Sequence, residues 1–198
     1  MNEAYLQSNT TASGDEVYTP FYAVEPLLKY IPKDWVIWLP FDEEWSAFYQ
    51  LFTENGYKVI RSCLSEGKDF FLYEPDEHYD IIVSNPPFSL KDAILERLYQ
   101  LEKPFCILLP ANSIHGQSRF RLFKKGLELL ILDKRVNYHT WGDMQHYKEG
   151  NHFGSIYFCR NLLPSQIEFA ELTPYQRALS NENIDTSDML GYEQLTLF

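Results

Sequence analysis

The chain has 198 residues, of which 45% are hydrophobic, and a formal net charge of -11. That length fits one domain with a complete core, and no apolar run approaches the ~20 residues that span a bilayer. The acidic balance disfavours a non-specific polyanion binder, which normally carries a basic face. Because residues 1–16 lack the basic start and the apolar block of a signal peptide, we expect a cytoplasmic protein.

Cysteine and histidine usage predicts neither a disulfide nor a metal centre. Cys63, Cys106 and Cys159 lie far apart, form no CxxC pair, and each lies in or beside an apolar run. Such positions are typical of buried free thiols. The five histidines are scattered without a partner at metal-ligand spacing, so we expect no metal.

Apolar patterning divides the chain into alternating helices and strands. Residues 1–17 are polar and without periodicity, which predicts a flexible arm. A Thr-Pro start then predicts a short helix over 19–32, bent at Pro26. Further helices are predicted over 45–56, 89–103 and 119–126, and strands over 35–40, 57–62, 79–84, 104–110, 127–133 and 153–160.

Strands that are apolar throughout and alternate with helices are typical of a parallel sheet covered on both faces. The sequence therefore predicts a Rossmann-like, doubly wound α/β domain over residues 18–164. Ligands bind such sheets at the carboxyl ends of the strands, near the point where the strand order reverses. From residue 165 the pattern dissolves into a polar, acidic stretch, which predicts a flexible tail over 165–198.

The central strand over 79–84 ends in Asn85-Pro86-Pro87-Phe88. The two prolines force an extended, stiff backbone that cannot join the sheet ladder. The Asn85 side-chain oxygen and a proline carbonyl then form two acceptors at fixed spacing, beside the flat ring of Phe88. This arrangement suits a planar group that carries an NH2, such as the exocyclic amine of adenine. Accepting both hydrogens frees the lone pair of the nitrogen for attack on an electrophile.

The stretch Asp80 to Phe88, DIIVSNPPF, resembles the catalytic motif of S-adenosylmethionine-dependent amino-methyltransferases. It is most similar to the N6-adenine DNA methyltransferases, whose motif is Asp/Asn-Pro-Pro-Tyr/Phe. The order of similar segments covers residues 18–161, and the chain resembles small adenine methyltransferase-like proteins of bacterial phages. The resemblance implies a class I methyltransferase fold, S-adenosyl-L-methionine as cofactor, and catalysis by Asn85, Pro86, Pro87 and Phe88.

Two further segments resemble cofactor-binding elements of that family. Thr19, Pro20 and Phe21 match the Thr-Pro element that contacts the cofactor when it precedes the sheet. Asp69 and Phe70 match the element that holds the cofactor's adenine. The resemblance implies cofactor contacts for these five residues, and for Asn85.

The chain departs from the family at the end of its first strand. The family segment Asp-Pro-Phe-x-Gly-x-Gly corresponds here to residues 39–45, LPFDEEW, which contain no glycine. Phe41, Asp42 and Glu43 are the candidate cofactor contacts in this segment; the acids equally suit a helix N-terminus. The second strand ends in Arg61, where the family normally has an acid for the ribose hydroxyls.

Phe88, Tyr138, Trp141 and Arg119 are candidate substrate contacts. Tyr138 and Trp141 lie in an irregular stretch, where aromatic rings either stack a base or fill the core. Arg119 belongs to a basic cluster that equally suits a solvated helix face.

The last five residues, QLTLF, are apolar after an acidic tail. They either dock on the domain or form a short motif for a partner. They resemble the motif with which bacterial polymerases and repair proteins bind the β sliding clamp. The resemblance implies clamp contacts for Gln194, Leu195, Leu197 and Phe198, with Thr196 off the consensus.

The favoured hypothesis is a DNA adenine-N6 methyltransferase of a bacterial or phage-infected cell, brought to DNA by the clamp. Two alternatives stay open. One is a catalytically degenerate protein of the same fold that binds the clamp or another host factor. The other is an enzyme that methylates RNA or a protein glutamine amide, because such enzymes share Asn-Pro-Pro-Tyr.

Overall fold

The computed structural model describes residues 17–140, 143–147 and 149–179 of the chain. Within these ranges the strands form one large sheet and one small ladder. The large sheet contains β2 (Val36–Leu39), β3 (Lys58–Arg61), β4 (Ile81–Ser84), β5 (Phe105–Pro110), β6 (Glu128–Leu132), β8 (Ser155–Arg160) and β9 (Ile167–Ala170). The small ladder pairs β1 (Val17–Tyr18) with β7 (His139–Thr140) in antiparallel register.

The seven strands of the large sheet lie in the order β3-β2-β4-β5-β8-β6-β9. All neighbouring pairs are parallel except the two that involve β8, which runs antiparallel to β5 and β6. The predicted mostly parallel, doubly wound α/β fold is therefore confirmed. The chain moves from β2 outward to β3 and returns to β4, so the order reverses beside the carboxyl ends of β2 and β4, where such sheets bind ligands.

Helices cover both faces of the sheet. Side chains along each strand point alternately to opposite faces, so a strand that is apolar throughout makes both faces apolar. The helices are α1 (Phe21–Val24), α2 (Ala47–Glu54), α3 (Lys91–Leu101) and α4 (Gln117–Phe123). Ile81 and Val83 of β4 pack in the core formed with α1 and α2, whereas Ile82 packs in the core formed with α3 and α4. Every residue of β4 is buried, as its apolar sequence predicts.

Local sequence signals explain where the first two helices begin and bend. The chain leaves the α-helical form after Val24 and continues as a 3₁₀ helix over Glu25–Lys29, which contains Pro26. Pro26 has no N–H for the α-helical ladder. Ser46 is the N-cap of α2, and its hydroxyl accepts a hydrogen bond from the Tyr49 N–H at 3.1 Å. The three cysteines are buried and free, which confirms their prediction.

The predicted flexible tail is wrong for residues 165–179. Residues 167–170 form β9, the edge strand beside β6, and Leu172 is buried. The Leu172 N–H donates to the Asp133 carboxylate at 2.7 Å, and its carbonyl accepts from the Lys134 ammonium at 2.8 Å. These partners lie about forty residues away in sequence, so local composition could not reveal them. Residues 180–198 of the predicted tail lie outside the described residues.

The predicted arm over 1–17 is wrong at its last residue, because Val17 pairs with Thr140 in the small ladder. Residues 1–16 lie outside the described residues. Among the helices that the structure describes, none combines the length and the apolar content needed to cross a membrane.

Shortening a buried side chain of the 165–179 segment should destabilise the whole protein. Leu172→Ala removes a side chain that is 2% exposed, and we expect the free energy of unfolding to fall by about 2–5 kcal/mol. Ile167→Ala, at a position that is 50% exposed, is the control and should lower it by less than about 1 kcal/mol. Urea denaturation of the full chain measures both, and equal small changes would contradict the packing described for this segment.

Candidate active site

The Asn85–Phe88 turn lies at the carboxyl end of β4, between β2 and β5. Pro87 has an extended backbone (φ -55°, ψ 124°), and a 3₁₀ turn over Phe88–Leu90 follows before α3 begins. The Leu90 N–H donates to the Pro87 carbonyl at 3.2 Å. This bond occupies the Pro87 carbonyl, so the Pro86 carbonyl is the candidate for a second acceptor beside Asn85.

The side chain of Asn85 is oriented by a hydrogen bond to the backbone of β1. Its Nδ2 donates to the Val17 carbonyl at 2.9 Å. A carbonyl only accepts, so the amide nitrogen must face Val17 and Oδ1 must face away from it. Among the described residues Oδ1 has no partner, although it is closed from solvent. Burying an acceptor without a hydrogen-bond partner costs roughly 1–3 kcal/mol of folding free energy. Such an acceptor indicates a position where a ligand can supply the donor.

Phe88 is half-buried and belongs to a cluster of three rings. It meets Phe153 edge-on at 5.7 Å between centroids and Tyr138 edge-on at 6.5 Å, while Tyr138 and Phe153 stack at 5.9 Å. The Tyr138 hydroxyl donates to Ser155 Oγ at 2.7 Å, and burial raises the pKa of Tyr138. Tyr138 is thus a buried support of the Phe88 ring in this structure, and it does not offer a free face to a base.

The segment Thr19–Phe21 follows β1 directly and therefore lies close in the chain to Val17, the partner of Asn85. Thr19 is buried, and its Oγ1 has no partner among the described residues. Pro20 begins α1, and its carbonyl accepts from the Ala23 N–H at 3.1 Å. Phe21 is a core residue, covered by the Arg177 guanidinium at 3.7 Å from the ring centroid. Within this segment, the Thr19 hydroxyl is therefore the polar group that can hydrogen-bond a ligand.

Asp42 is a buried carboxylate at the carboxyl end of β2. The Ser84 hydroxyl, adjacent to Asn85 in sequence, donates to Asp42 Oδ2, and Ser46 supplies a second hydrogen bond. Burial raises the pKa of Asp42 to about 6, against the opposing effect of these two donors. The glycine-less segment therefore brings a carboxylate into contact with the residue that precedes the Asn85–Phe88 turn.

An ionic cluster lies where β3 ends. Arg61 Nη1 lies 3.4 Å from Glu43 Oε2, Arg61 Nη2 lies 3.6 Å from Glu44 Oε1, and Nη2 also pairs with Glu66. Glu43, Cys63 and Glu66 place potential metal-ligand atoms within 4.8 Å of one another. Because the Arg61 guanidinium already pairs with both acids, the arrangement is an ion-pair network in this structure. Glu43 is thereby held by Arg61 at the edge of the candidate cofactor region.

Phe41 and Phe70 form an aromatic pair after β2 and β3, with ring centroids 4.9 Å apart. Phe70 is buried and also contacts Trp38 at 5.6 Å, whereas Phe41 is half-buried. The Asp69 carboxylate accepts from the Phe71 N–H at 2.9 Å, so it closes the local turn that contains Phe70. Phe41 is the ring of this pair that keeps an exposed part.

Arg119 lies on α4, and its Nε is 3.3 Å from Asp92 Oδ1 on the first turn of α3. This ion pair places the Arg119 side chain against α3, the helix that follows the Asn85–Phe88 turn. Trp141 and the residues Gln194, Leu195, Leu197 and Phe198 lie outside the described residues. Their predicted contacts therefore stay predictions.

Sequence reasoning missed Val17, Ser84 and Phe153, which contact Asn85, Asp42 and Phe88 respectively. Val17 and Phe153 are far from the turn in sequence, and no local pattern connects them to it. Ser84 did carry a signal, because a hydroxyl that ends a buried apolar strand needs a hydrogen-bond partner.

Comparisons with known proteins find sequence similarity over part of the chain. No protein-family model matches. A stretch of 86 residues is 34% identical to the type II methyltransferase M.EcoRI of Escherichia coli, covering 39% of this chain and 26% of that protein. The chain thus spans about a quarter of the length of this relative.

A solved structure from Listeria monocytogenes, assigned to the class I S-adenosylmethionine-dependent methyltransferases, matches over 90% of this chain and 72% of its own. The TM-score is 0.45 and the sequence identity 10%. The strand order and the two covered faces of the sheet define a Rossmann-like α/β fold, as predicted.

The buried Asp42 should make stability fall as pH rises. Because the folded-state pKa lies above the unfolded one, the native state holds the proton more tightly, and the advantage is lost between about pH 4 and 6. In Asp42→Asn this loss is absent. The unfolding free energy of the variant minus that of the wild type should therefore rise by about 2 kcal/mol from pH 4 to 7.

Asp133→Asn is the control, with the opposite sign. Hydrogen bonding to the Leu172 N–H lowers the pKa of Asp133, so its contribution is present at neutral pH and lost as pH falls. Urea denaturation across the pH range measures both variants. A pH-independent difference for Asp42→Asn would contradict the burial of a titrating carboxylate at this position.

Proposed function

We propose that the protein is an S-adenosylmethionine-dependent methyltransferase that modifies the N6 amine of adenine in DNA, in the cytoplasm of a bacterial or phage-infected cell. One observation carries the proposal: Asn85 Oδ1 is a buried acceptor without a partner among the described residues, at the carboxyl end of β4. The similarity of DIIVSNPPF to the adenine-N6 motif and the partial similarity to the type II methyltransferase M.EcoRI support it.

The residues around the switch point fit the proposed cofactor. Thr19 Oγ1 is a second buried polar atom that lacks a partner in the described part of the chain, and Asp42 is a buried carboxylate that favours a cation. The Phe41 ring offers a partly exposed apolar surface for a purine. We assign Thr19, Phe41, Asp42 and Asn85 to the cofactor side of the site. When bound there, S-adenosylmethionine supplies an electrophilic methyl group.

Pro20, Phe21, Glu43, Asp69 and Phe70 complete the proposed cofactor region as supporting residues. Pro20 and Phe21 follow Thr19 at the start of α1. Phe70 packs against the Phe41 ring, and Asp69 closes the turn that contains Phe70. Glu43 is held by Arg61, so the glutamate supplies a fixed carboxylate where β3 carries no acid of its own. In this proposal acidic side chains take the place of the missing glycines.

The chain's own residues then prepare the amine of the target adenine. Asn85 Oδ1 and the Pro86 carbonyl accept its two hydrogens, which localises the lone pair on the nitrogen and orients it. Phe88 packs against the base, with Tyr138 and Phe153 holding its ring. Pro87 keeps the turn extended. Because Oδ1 is closed from solvent, the target base reaches it only after leaving the duplex stack and displacing the covering groups.

Removing the acceptor should strongly slow methyl transfer. For Asn85→Ala we expect the rate to fall by about 100-fold or more, because a preorganised contact to the reacting group is lost. Phe88→Ala should weaken the binding of the DNA substrate while leaving cofactor binding intact. The measurement is transfer of a labelled methyl group to duplex DNA, followed by mass spectrometry of the nucleosides. Methylated cytosine, RNA or protein glutamine as the product would overturn the adenine assignment, and full activity of Asn85→Ala would overturn the role of the turn.

Calorimetry with S-adenosylmethionine separates the enzyme from the degenerate alternative. Binding at millimolar cofactor or below supports the enzyme, and Asp42→Ala should weaken it. Lys33→Ala, an exposed position before β2, is the matched control and should bind as the wild type does. Absence of binding by the wild type would favour a non-enzymatic protein of the same fold.

Recruitment by the β sliding clamp is the second part of the proposal. It is supported by the sequence QLTLF, whose Gln194, Leu195, Leu197 and Phe198 resemble the clamp-binding motif. Tethering to a clamp raises the local concentration of the protein on DNA. This would offset the repulsion between DNA and a chain of net charge -11.

Deleting Leu197 and Phe198 should abolish capture by immobilised clamp while the thermal midpoint stays unchanged. Both leucine and phenylalanine side chains would fill an apolar pocket of the partner. Thr196→Ala is the control and should be captured as well as the wild type. Unchanged capture of the shortened protein would reject the clamp assignment.

A further inference from the structure

We propose that the turn Ala111–Ile114 and helix α4 form a DNA-binding face that contacts the phosphates beside the flipped base. This inference rests on the proposed function, since it names the surface that brings duplex DNA to the Asn85–Phe88 turn. The α4 face is defined by the exposed side chains of Ile114, Phe120, Arg121, Lys124 and Lys125, together with the largely buried side chain of Arg119.

The α4 face lies in the longest stretch of the sequence without an acid. Between Glu102 and Glu128 there is no Asp or Glu, while α4 and the residues after it supply four of the chain's 17 basic residues. Arg121, Lys124 and Lys125 are exposed, and the helix offers no acid of its own to neutralise them. A chain with a net charge of -11 is repelled by DNA as a whole, so a local concentration of cations decides where the duplex approaches.

This face adjoins the candidate active site. Because β4 and β5 are parallel, the turn after β5 lies at the same edge of the sheet as the Asn85–Phe88 turn. The Ala111 N–H donates to the Gly154 carbonyl at 2.8 Å, next to Phe153, whose ring packs on Phe88. Duplex DNA that lies along α4 therefore passes the position where the target base must enter.

Arg119 is prearranged for a phosphate. Its side chain is only 14% exposed, and Asp92 holds its Nε at 3.3 Å. Gly116 has φ +141°, and a Cβ at that position would lie 2.6 Å from Arg119 Nη2, so glycine permits the guanidinium to fold over the loop. Arg119 Nε and Nη1 are both buried without a hydrogen-bond partner among the described residues, because the contact of Nε with Asp92 is an ion pair and not a hydrogen bond. A planar guanidinium fixed in this way matches the geometry of phosphate oxygens.

Phe120 is the apolar element of the same face. Its side chain is 62% exposed and lies between Arg119 and Arg121, and the Lys124 ammonium lies 5.7 Å from the ring centroid. An isolated exposed phenylalanine is common on a protein surface. Surrounded by cations beside a base-flipping site, the ring suits packing against a base or sugar that flipping exposes.

Fluorescence anisotropy with a labelled 20-base-pair duplex containing adenine tests the α4 face in the full chain. Lys124→Glu/Lys125→Glu should weaken binding at least tenfold and lower the salt dependence of log K by about 2, as two phosphate contacts are lost. Phe120→Ala should weaken binding at least threefold. Lys58→Glu and Phe169→Ala are matched controls at exposed positions on the two edge strands, and should bind within twofold of the wild type.

Unchanged DNA affinity in the Lys124/Lys125 and Phe120 variants would overturn the inference, and so would the absence of DNA binding by the wild type. Methyl transfer, measured in parallel, distinguishes the two proposals. If the wild type binds DNA through α4 but yields no methyladenine, the proposed function fails and the α4 face stands. If it methylates adenine and the α4 variants keep both affinity and kcat/KM, the α4 face fails and the function stands.

Discussion

The hydrogen bond from the Asn85 amide to the Val17 carbonyl is the interaction on which the candidate site depends. It fixes which end of the amide faces the interior and leaves Oδ1 without a partner among the described residues. Val17 belongs to β1, which pairs with β7, and Thr19 follows two residues later while Tyr138 precedes β7. One two-stranded ladder therefore positions the acceptor, a second buried polar atom and the support of the Phe88 ring. Loosening it would disturb all three together.

The segment after β2 contains acidic residues and no glycine. A glycine-rich loop lets backbone N–H groups approach a ligand, whereas the segment Phe41-Asp42-Glu43 presents carboxylates, one buried against Ser84 and one held by Arg61. A buried carboxylate carries an energetic penalty in the free protein, which a bound cation would relieve. In the proposed enzyme the sulfonium and ammonium groups of the cofactor are such cations, so affinity would come from charge compensation rather than from close backbone contact.

The elements that sequence predicted share a local signal, and those it missed do not. The apolar run 79–84 predicts a buried strand, because a strand covered on both faces needs no alternation of polar and apolar residues. Strand β4 lies within this run. The position of Asn85 at its carboxyl end follows directly. Strand β9 was missed because IEFA has only four residues and is interrupted by Glu168, and because it pairs with β6, some 38 residues earlier. The Val17–Asn85 bond spans 68 residues, and nothing in either neighbourhood encodes it. Long-range pairing of this kind is decided by tertiary packing.

An acidic chain can bind DNA, as proposed, if its basic residues are concentrated on one face. Net charge acts at a distance, and its effect fades within about 8 Å at physiological ionic strength, so contact energies depend on the nearest groups. At the α4 face those groups are Arg121, Lys124 and Lys125, with Arg119 anchored behind them by Asp92. The remaining acidic surface would then limit binding elsewhere and align the duplex with the one edge of the sheet where Asn85 lies. A site that accepts a flipped base gains from this restriction, because a duplex bound in another orientation cannot deliver its adenine to the turn.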